Sequence, residues 1–264
     1  MNNQTDIEFG FVAASSGETS LSDGETYDEI LADCEFGQEL GFGTAWMIEH
    51  HFSDYYPTPN PLGFLSFIAA RFPDLALGTC VLVTPWYEPL RLAEEIAQLN
   101  TLTKQPLHLG LGRGTAKMEY DAFGIDMDVS RDRFRESYEL LSKALAGGRF
   151  TYRGEHMNVP KEIEIRPRSD CSKIHFYGAL GASPESAGIM AEIGLTPICT
   201  TIVNFEKQHE VIARWQEKAA AHSLNTANPI PLLIPCIIAD SDEQAVEDAK
   251  TFIPPFMQAQ VDHY

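Results

Sequence analysis

Glu49, His50 and His51 stand together at the end of the apolar run Trp46-Met47-Ile48. A carboxylate beside two imidazoles is a set that can hold and move protons near neutral pH. Adjacent side chains on extended backbone point to opposite sides, so one histidine is expected to face a pocket while the other packs or caps. Two such neighbours do not converge easily on one ion, and the helical HExxH arrangement of zinc proteases is absent. His108, His156, His175, His209, His222 and His263 share no spacing; they are read as structural or surface residues, and no metal site is expected.

Two glycine-containing stretches complete the chemistry. Gly110-Leu111-Gly112-Arg113-Gly114-Thr115 follows an apolar run. Its glycines let backbone approach a ligand closely, and its lone arginine offers a bidentate partner to a phosphate. The spacing is GxGxG, not the dinucleotide fingerprint GxGxxG, and a plain tight turn explains it equally well. In Gly178-Ala179-Leu180-Gly181-Ala182-Ser183-Pro184-Glu185-Ser186, small residues and hydroxyls open a helix, where free N–H groups and the positive dipole end make an anion site. Ser183 as N-cap with Pro184 in the first turn is the plainer reading, and the two are compatible. Two phosphate-friendly loops in an acidic chain suggest a phosphorylated cofactor or substrate. GxxxxGK[ST], GxSxG and SxxK do not occur, so triphosphatase and serine-hydrolase readings have no anchor.

These loops must be placed by regular elements. Strands are expected at Ile7–Ala13, Gly43–Ile48, Ala76–Val83, Leu107–Gly112, Ile174–Ala179, Thr196–Thr201 and Leu232–Ile238. They alternate with helices at Tyr27–Leu40, Leu62–Phe72, Pro89–Leu102, Arg131–Leu145, Pro184–Glu192, Phe205–His222 and Asp242–Phe252. Leu92, Ile96 and Leu99 show the helical stripe. Phe150–Pro167 breaks the rhythm and is expected to be a surface insertion after the fourth helix, a hairpin around Arg153-Gly154. Strands apolar almost throughout argue a parallel sheet covered by helices, an α/β fold of the (β/α)8 TIM-barrel type. The seventh helix leads directly to Tyr264, so an eighth strand is expected to lie outside the given chain. No linker or repeat divides residues 1–264, which are read as one barrel domain.

The 264 residues carry 38 acidic and 19 basic side chains, a formal charge of −19, and no Lys or Arg occurs among the first 70. Nucleic acid and anionic membrane surfaces are therefore poor partners. Cys34, Cys80, Cys171, Cys199 and Cys236 form no CxxC pair, so neither a disulfide framework nor a zinc site is indicated. The N-terminus lacks the pattern of a secretory signal, and a cytoplasmic protein is expected.

The stretches FGF (Phe9–Phe11), GFGTAWMIEHHFS (Gly41–Ser53), LGTCVLVTPWYEPLRLAEEIAQLN (Leu77–Asn100), LGLGRG with EYDAFGIDMDVSRDRF (Leu109–Phe134) and GASPES with AEIGLTPI (Gly181–Ile198) together resemble the bacterial luciferase-like flavin-dependent monooxygenases. The resemblance covers most of the chain and implies a (β/α)8 barrel. It implies that His50, with Glu49, is the essential histidine near the flavin. It further implies that Arg113, Ser183, Ser186 and the N–H groups of Ala182 and Ser183 bind the FMN phosphate. Cys80-Val81 takes the position of a non-prolyl cis peptide against the flavin ring. Gly112 stands where the luciferase α subunit has a reactive cysteine, so light emission is not implied. Phe52, Tyr55, Tyr56, Trp86 and Tyr87 fall where an apolar substrate would pack, or where loops are simply anchored. The implied chemistry is oxygenation of a small apolar aldehyde, ketone or similar substrate through a C4a-peroxyflavin. Reduced FMN would come from a separate reductase, and the chain would act in a homo- or heterodimer. A deazaflavin-dependent oxidoreductase of the same superfamily and a non-catalytic flavin-binding subunit are the alternatives.

Overall fold

The computed structural model describes residues 7–15, 21–200, 204–226 and 229–264. Seven parallel strands form one curled sheet in the order β1 (Gly10–Val12), β2 (Thr44–Met47), β3 (Ala76–Val83), β4 (Leu107–Gly112), β7 (Ile174–Leu180), β8 (Thr196–Thr200) and β9 (Leu232–Leu233). Consecutive strands are linked by helices: α1 (Asp23–Glu39), α2 (Pro61–Arg71), α3 (Pro89–Leu102), α4 (Lys117–Phe123) with α5 (Ser130–Leu145), α6 (Pro184–Glu192) and α7 (Phe205–Ala221). Leu77, Leu82, Leu107, Leu109 and Leu111 from the sheet and Leu92, Ile96 and Leu99 from α3 are buried in a single core. Thus the apolar strands and the α3 stripe do what their patterns demand.

The break after the fourth expected helix is an antiparallel hairpin, β5 (Phe150–Arg153) with β6 (Asn158–Ile163). Glu136 on α5 holds its turn by accepting from the backbone N–H groups of Glu155, His156 and Met157 at 2.7, 3.0 and 2.9 Å. Because the hairpin stays out of the main sheet, β4 pairs directly with β7.

Several elements depart from the sequence reading. The first strand keeps only Gly10–Val12 of the expected Ile7–Ala13, and α1 starts at Asp23 under a Ser22 capping box, not at Tyr27. Helix α4 was unexpected: it has only seven residues, no side-chain cap at Ala116, and ends at the left-handed Gly124. The strand expected over Leu232–Ile238 shortens to Leu232–Leu233, paired only with Cys199 and Thr200 of β8. Ile234, Ile237 and Ile238 beyond it are exposed, since a strand with a neighbour on one side only gains little from extending. Helix α8 runs from Asp242 through Pro254 and Pro255 to His263, not to Phe252. Prolines normally end a helix; here the far end is fixed by packing of Phe256 and His263 against Tyr55, and tertiary contact overrides the local signal. Thr201, counted in the sixth strand from sequence, lies outside the described residues. Among those residues no eighth sheet strand is present, and no helix is long and apolar enough to cross a membrane.

Candidate active site

The loop after β2 sends its two histidines opposite ways, as extended backbone requires. His50 enters a cluster with Tyr55, Tyr56, His263 and Tyr264, at ring separations of 4.8, 6.2, 4.6 and 5.8 Å. His51 instead packs among Phe52, Trp86 and Phe123. Glu49, fully buried, ties the end of β2 to β3: one oxygen meets His51 Nε2 at 3.1 Å and the other accepts from Val83 N–H at 2.9 Å. The Tyr87 hydroxyl also bonds to it. Burial raises the Glu49 pKa despite these partners. Glu49 therefore stands behind His51, with Tyr87 on the same carboxylate rather than in the His50 cluster.

The carboxylate that meets His50 is Glu119, from the first turn of α4. Its Oε1 accepts from the His51 backbone N–H at 2.7 Å and lies 3.2 Å from His50 Nδ1. An acceptor-only carboxylate selects the tautomer with the proton on Nδ1 and leaves the Nε2 lone pair directed away. Nε2 faces the Tyr264 hydroxyl at 3.5 Å. His263 is buried, with Nδ1 2.7 Å from Ser53 Oγ and Nε2 3.3 Å from Glu119 Oε1. Burial, and then the neighbouring His50, lower its pKa. By its sequence context His263 reads as a structural or surface residue, but the fold brings the end of α8 onto His50. Glu119 and Ser53 fall in stretches that carry the family resemblance, but nothing local pairs Glu119 with His50 or Ser53 with His263, which lie 69 and 210 residues away.

Backbone strain collects in the same loop. Phe52 and Tyr56 adopt φ of 63° and 52°, a left-handed conformation costing about 1–2 kcal/mol for a residue with a side chain. Thr58 holds the loop by donating its hydroxyl to Ile48 O at 2.5 Å and its N–H to Tyr56 O at 2.6 Å.

The two glycine-containing loops leave neighbouring strands, since Leu111 of β4 is in register with Gly178 of β7. Arg113 is half-buried and makes only weak contacts, to Gly114 O at 3.3 Å and Ser130 Oγ at 3.5 Å. It forms no ion pair among the described residues. Tyr120 fixes the loop by donating its hydroxyl to the Arg113 carbonyl. Ser183 is the N-cap of α6, accepting from Ser186 N–H at 3.3 Å, with Pro184 at the first helical position. Arg131, next to Ser130, pairs with Glu185 at 3.4 Å, so the start of α5 joins both loops. The Cys80–Val81 peptide is cis. On β4 beside it, a side chain at Gly112 would come within 2.5 Å of Val81 Cγ2. The Cys80 thiol is pushed up to about 12 by burial. Trp86 and Tyr87 also line a groove of about 330 Å³ against His156–Val159.

Residues 7–264 match the luciferase-like monooxygenase family. The chain belongs to that family. This luciferase-like chain is 33% identical over 223 residues to the uncharacterized protein y4wF of Sinorhizobium fredii, covering 83% of the chain and 64% of that protein. It is 25% identical to the alkanal monooxygenase alpha chain of the Kryptophanaron alfredi symbiont, over 84% of the chain and 62% of the relative. It is 30% identical over 139 residues to the oxygenase component of the flavin-dependent trigonelline monooxygenase of Acinetobacter baylyi, 52% of the chain and 38% of that protein. The chain thus spans less than two thirds of the length of these relatives. The crystal structure of monooxygenase RslO1 from Streptomyces bottropensis superposes with a TM-score of 0.89 at 25% identity, over 97% of the chain and 79% of that structure. The fold alone is shared with a diketocamphane monooxygenase component from Pseudomonas putida in complex with FMN, at TM-score 0.77 and 18% identity over 93% of the chain and 72% of that structure. It is likewise shared with an F420-dependent secondary alcohol dehydrogenase, at TM-score 0.77 and 14% identity over 93% and 74%.

Proposed function

We propose that the chain is the oxygenating component of a two-component flavin monooxygenase that takes reduced FMN from a separate reductase. The observation that carries this reading is the part-buried pairing of His50 with Glu119 at the sheet end where Arg113 has no carboxylate partner among the described residues. An arginine with no ion pair among the described residues, in a chain of net charge −19 and at the end of the strand next to the one that leads into α6, fits a phosphate. The glycines on either side of Arg113 let the backbone approach a ligand closely, so the residues present suit FMN.

Arg113, Ser183, Ser186 and the N–H groups of Ala182 and Ser183 hold the phosphate in this reading, and Cys80-Val81 supports the ring. Bound reduced FMN supplies two electrons to O2, so that one oxygen atom enters the substrate and the other leaves as water. Glu119 keeps the His50 proton on Nδ1; the free Nε2 accepts a proton from the reacting group and returns it. Glu49 holds His51, and through it the backbone N–H on Glu119. Phe52, Tyr55, Tyr56 and Trp86 provide apolar walls that exclude water and accept a small apolar aldehyde or ketone. The chain works in the cytoplasm in this reading, as one half of a dimer with a copy of itself or with a related chain.

The test uses the purified chain, an aliphatic aldehyde series, photoreduced FMN and ¹⁸O₂. One labelled oxygen in the acid product supports the reading. Aldehyde left unlabelled, with hydride transfer seen only from a reduced deazaflavin, transfers the assignment to the dehydrogenase branch.

A further inference from the structure

Glu119 Oε1 is approached from two sides by imidazole nitrogens, His50 Nδ1 at 3.2 Å and His263 Nε2 at 3.3 Å. All three atoms lie within 4.8 Å of one another. Ligand atoms around a tetrahedral zinc ion, at bonds of about 2.0–2.1 Å, sit about 3.3 Å apart. The group is enclosed: the side chains of Glu119 and His263 are 1% and 0% exposed and that of His50 11%. Apart from its 3.3 Å approach to Glu119 Oε1, the buried His263 Nε2 has no partner among the described residues. A buried nitrogen so held is free to take a ligand or an ion.

We infer that His50, Glu119 and His263 form a binding site for a divalent transition ion of the zinc class, assembled when the end of α8 docks on the loop after β2. The supporting shell is already in place. Ser53 Oγ lies 2.7 Å from His263 Nδ1 and can accept a hydrogen bond from its N–H, which leaves the Nε2 lone pair directed to the ion. The His51 backbone N–H anchors the carboxylate. His50 needs only a change of tautomer, its proton moving from Nδ1 to Nε2, where the Tyr264 hydroxyl oxygen is 3.5 Å away. Two imidazoles and one carboxylate leave a fourth position open, the ligand count of a site that exchanges water or a small anion. An ion here takes the same His50 nitrogen that otherwise holds a proton against Glu119, so ion and proton compete for one atom.

The inference shares His50 and Glu119 with the flavin reading but does not rest on it, and it is tested without flavin. Chelator-stripped protein is titrated with Zn²⁺ by calorimetry and with Co²⁺ by absorption spectroscopy, and the zinc form is measured by X-ray absorption. One ion per chain, a tetrahedral Co²⁺ spectrum and two imidazoles in the zinc shell are expected. Ser53→Ala, which leaves all three ligands present, should weaken binding about 10- to 100-fold, and His263→Ala should abolish it. Substoichiometric binding, a shell with fewer than two imidazoles, or affinity unchanged in Ser53→Ala and His263→Ala overturns the assignment.

Discussion

His50 Nδ1 lies 3.2 Å from Glu119 Oε1, although 69 residues separate the two in the chain. The same oxygen accepts the His51 backbone N–H, so one carboxylate fixes both the backbone and the imidazole of the loop after β2. Orientation of an imidazole by a buried acid is a recurrent way of fixing its tautomer.

Glu119→Gln keeps the shape but removes the charge opposite Nδ1. Turnover is expected to fall about 10- to 100-fold, part of what a positioned proton-transfer group contributes, with FMN affinity held within about twofold. Steady-state kinetics beside a flavin-binding titration check this. Loss of binding with unchanged turnover of the bound fraction would place Glu119 in the cofactor pocket instead.

Arg113→Ala removes the guanidinium that contacts Ser130. A charge-assisted contact of about 1.5–3 kcal/mol corresponds to roughly 10- to 100-fold weaker FMN binding. Riboflavin, which lacks the phosphate, should bind both proteins alike. Equal weakening for FMN and riboflavin would show that Arg113 supports the loop and not the phosphate.

His108 stacks on His175 at 5.1 Å and on Tyr177 at 6.1 Å, and burial, reinforced by His175, lowers its pKa to about 4. The unfolded chain takes up this proton from its ordinary value near 6.5, the folded chain only near 4. Stability from this group is thus complete above pH 6.5 and declines as pH falls toward 4, by at most about 3 kcal/mol. Urea unfolding of wild type and His108→Asn across this range should give a smaller slope for the variant. Parallel slopes would remove His108 from the acid response.

Glu49→Leu fills a similar volume but leaves the Val83 N–H and His51 Nε2 without their buried acceptor. A destabilisation of about 1–3 kcal/mol per orphaned group is expected, whereas Glu49→Gln, which retains an accepting oxygen, should lose less. Chemical denaturation separates them; equal losses would mean that packing, not hydrogen bonding, is what Glu49 supplies.

Much of the fold was legible from local pattern. The bounds of β3, α3, β4 and α6 match the apolar runs and cap signals that mark them, because each is set by its own periodicity and punctuation. What escaped depends on distant partners. Short α4 lacks a capping side chain, and α8 continues through Pro254-Pro255 because of contacts at its far end. At the site, the opposite facing of His50 and His51 follows from extended backbone, and the cis peptide stands at the Cys80–Val81 position named by resemblance. Glu119 and His263 were not legible, for a carboxylate inside a short acidic helix and a histidine near the C-terminal residue gain meaning only when the sheet curls and α8 folds back.

The most direct measurement is stopped-flow absorption of the chain loaded anaerobically with photoreduced FMN and mixed with O2, for wild type and His50→Ala. Wild type should return the oxidised flavin spectrum more slowly than free reduced FMN does, with His50→Ala binding FMN equally but altering that rate and losing product. Reoxidation of both proteins at the free-flavin rate would contradict a monooxygenase site built on His50 and Glu119.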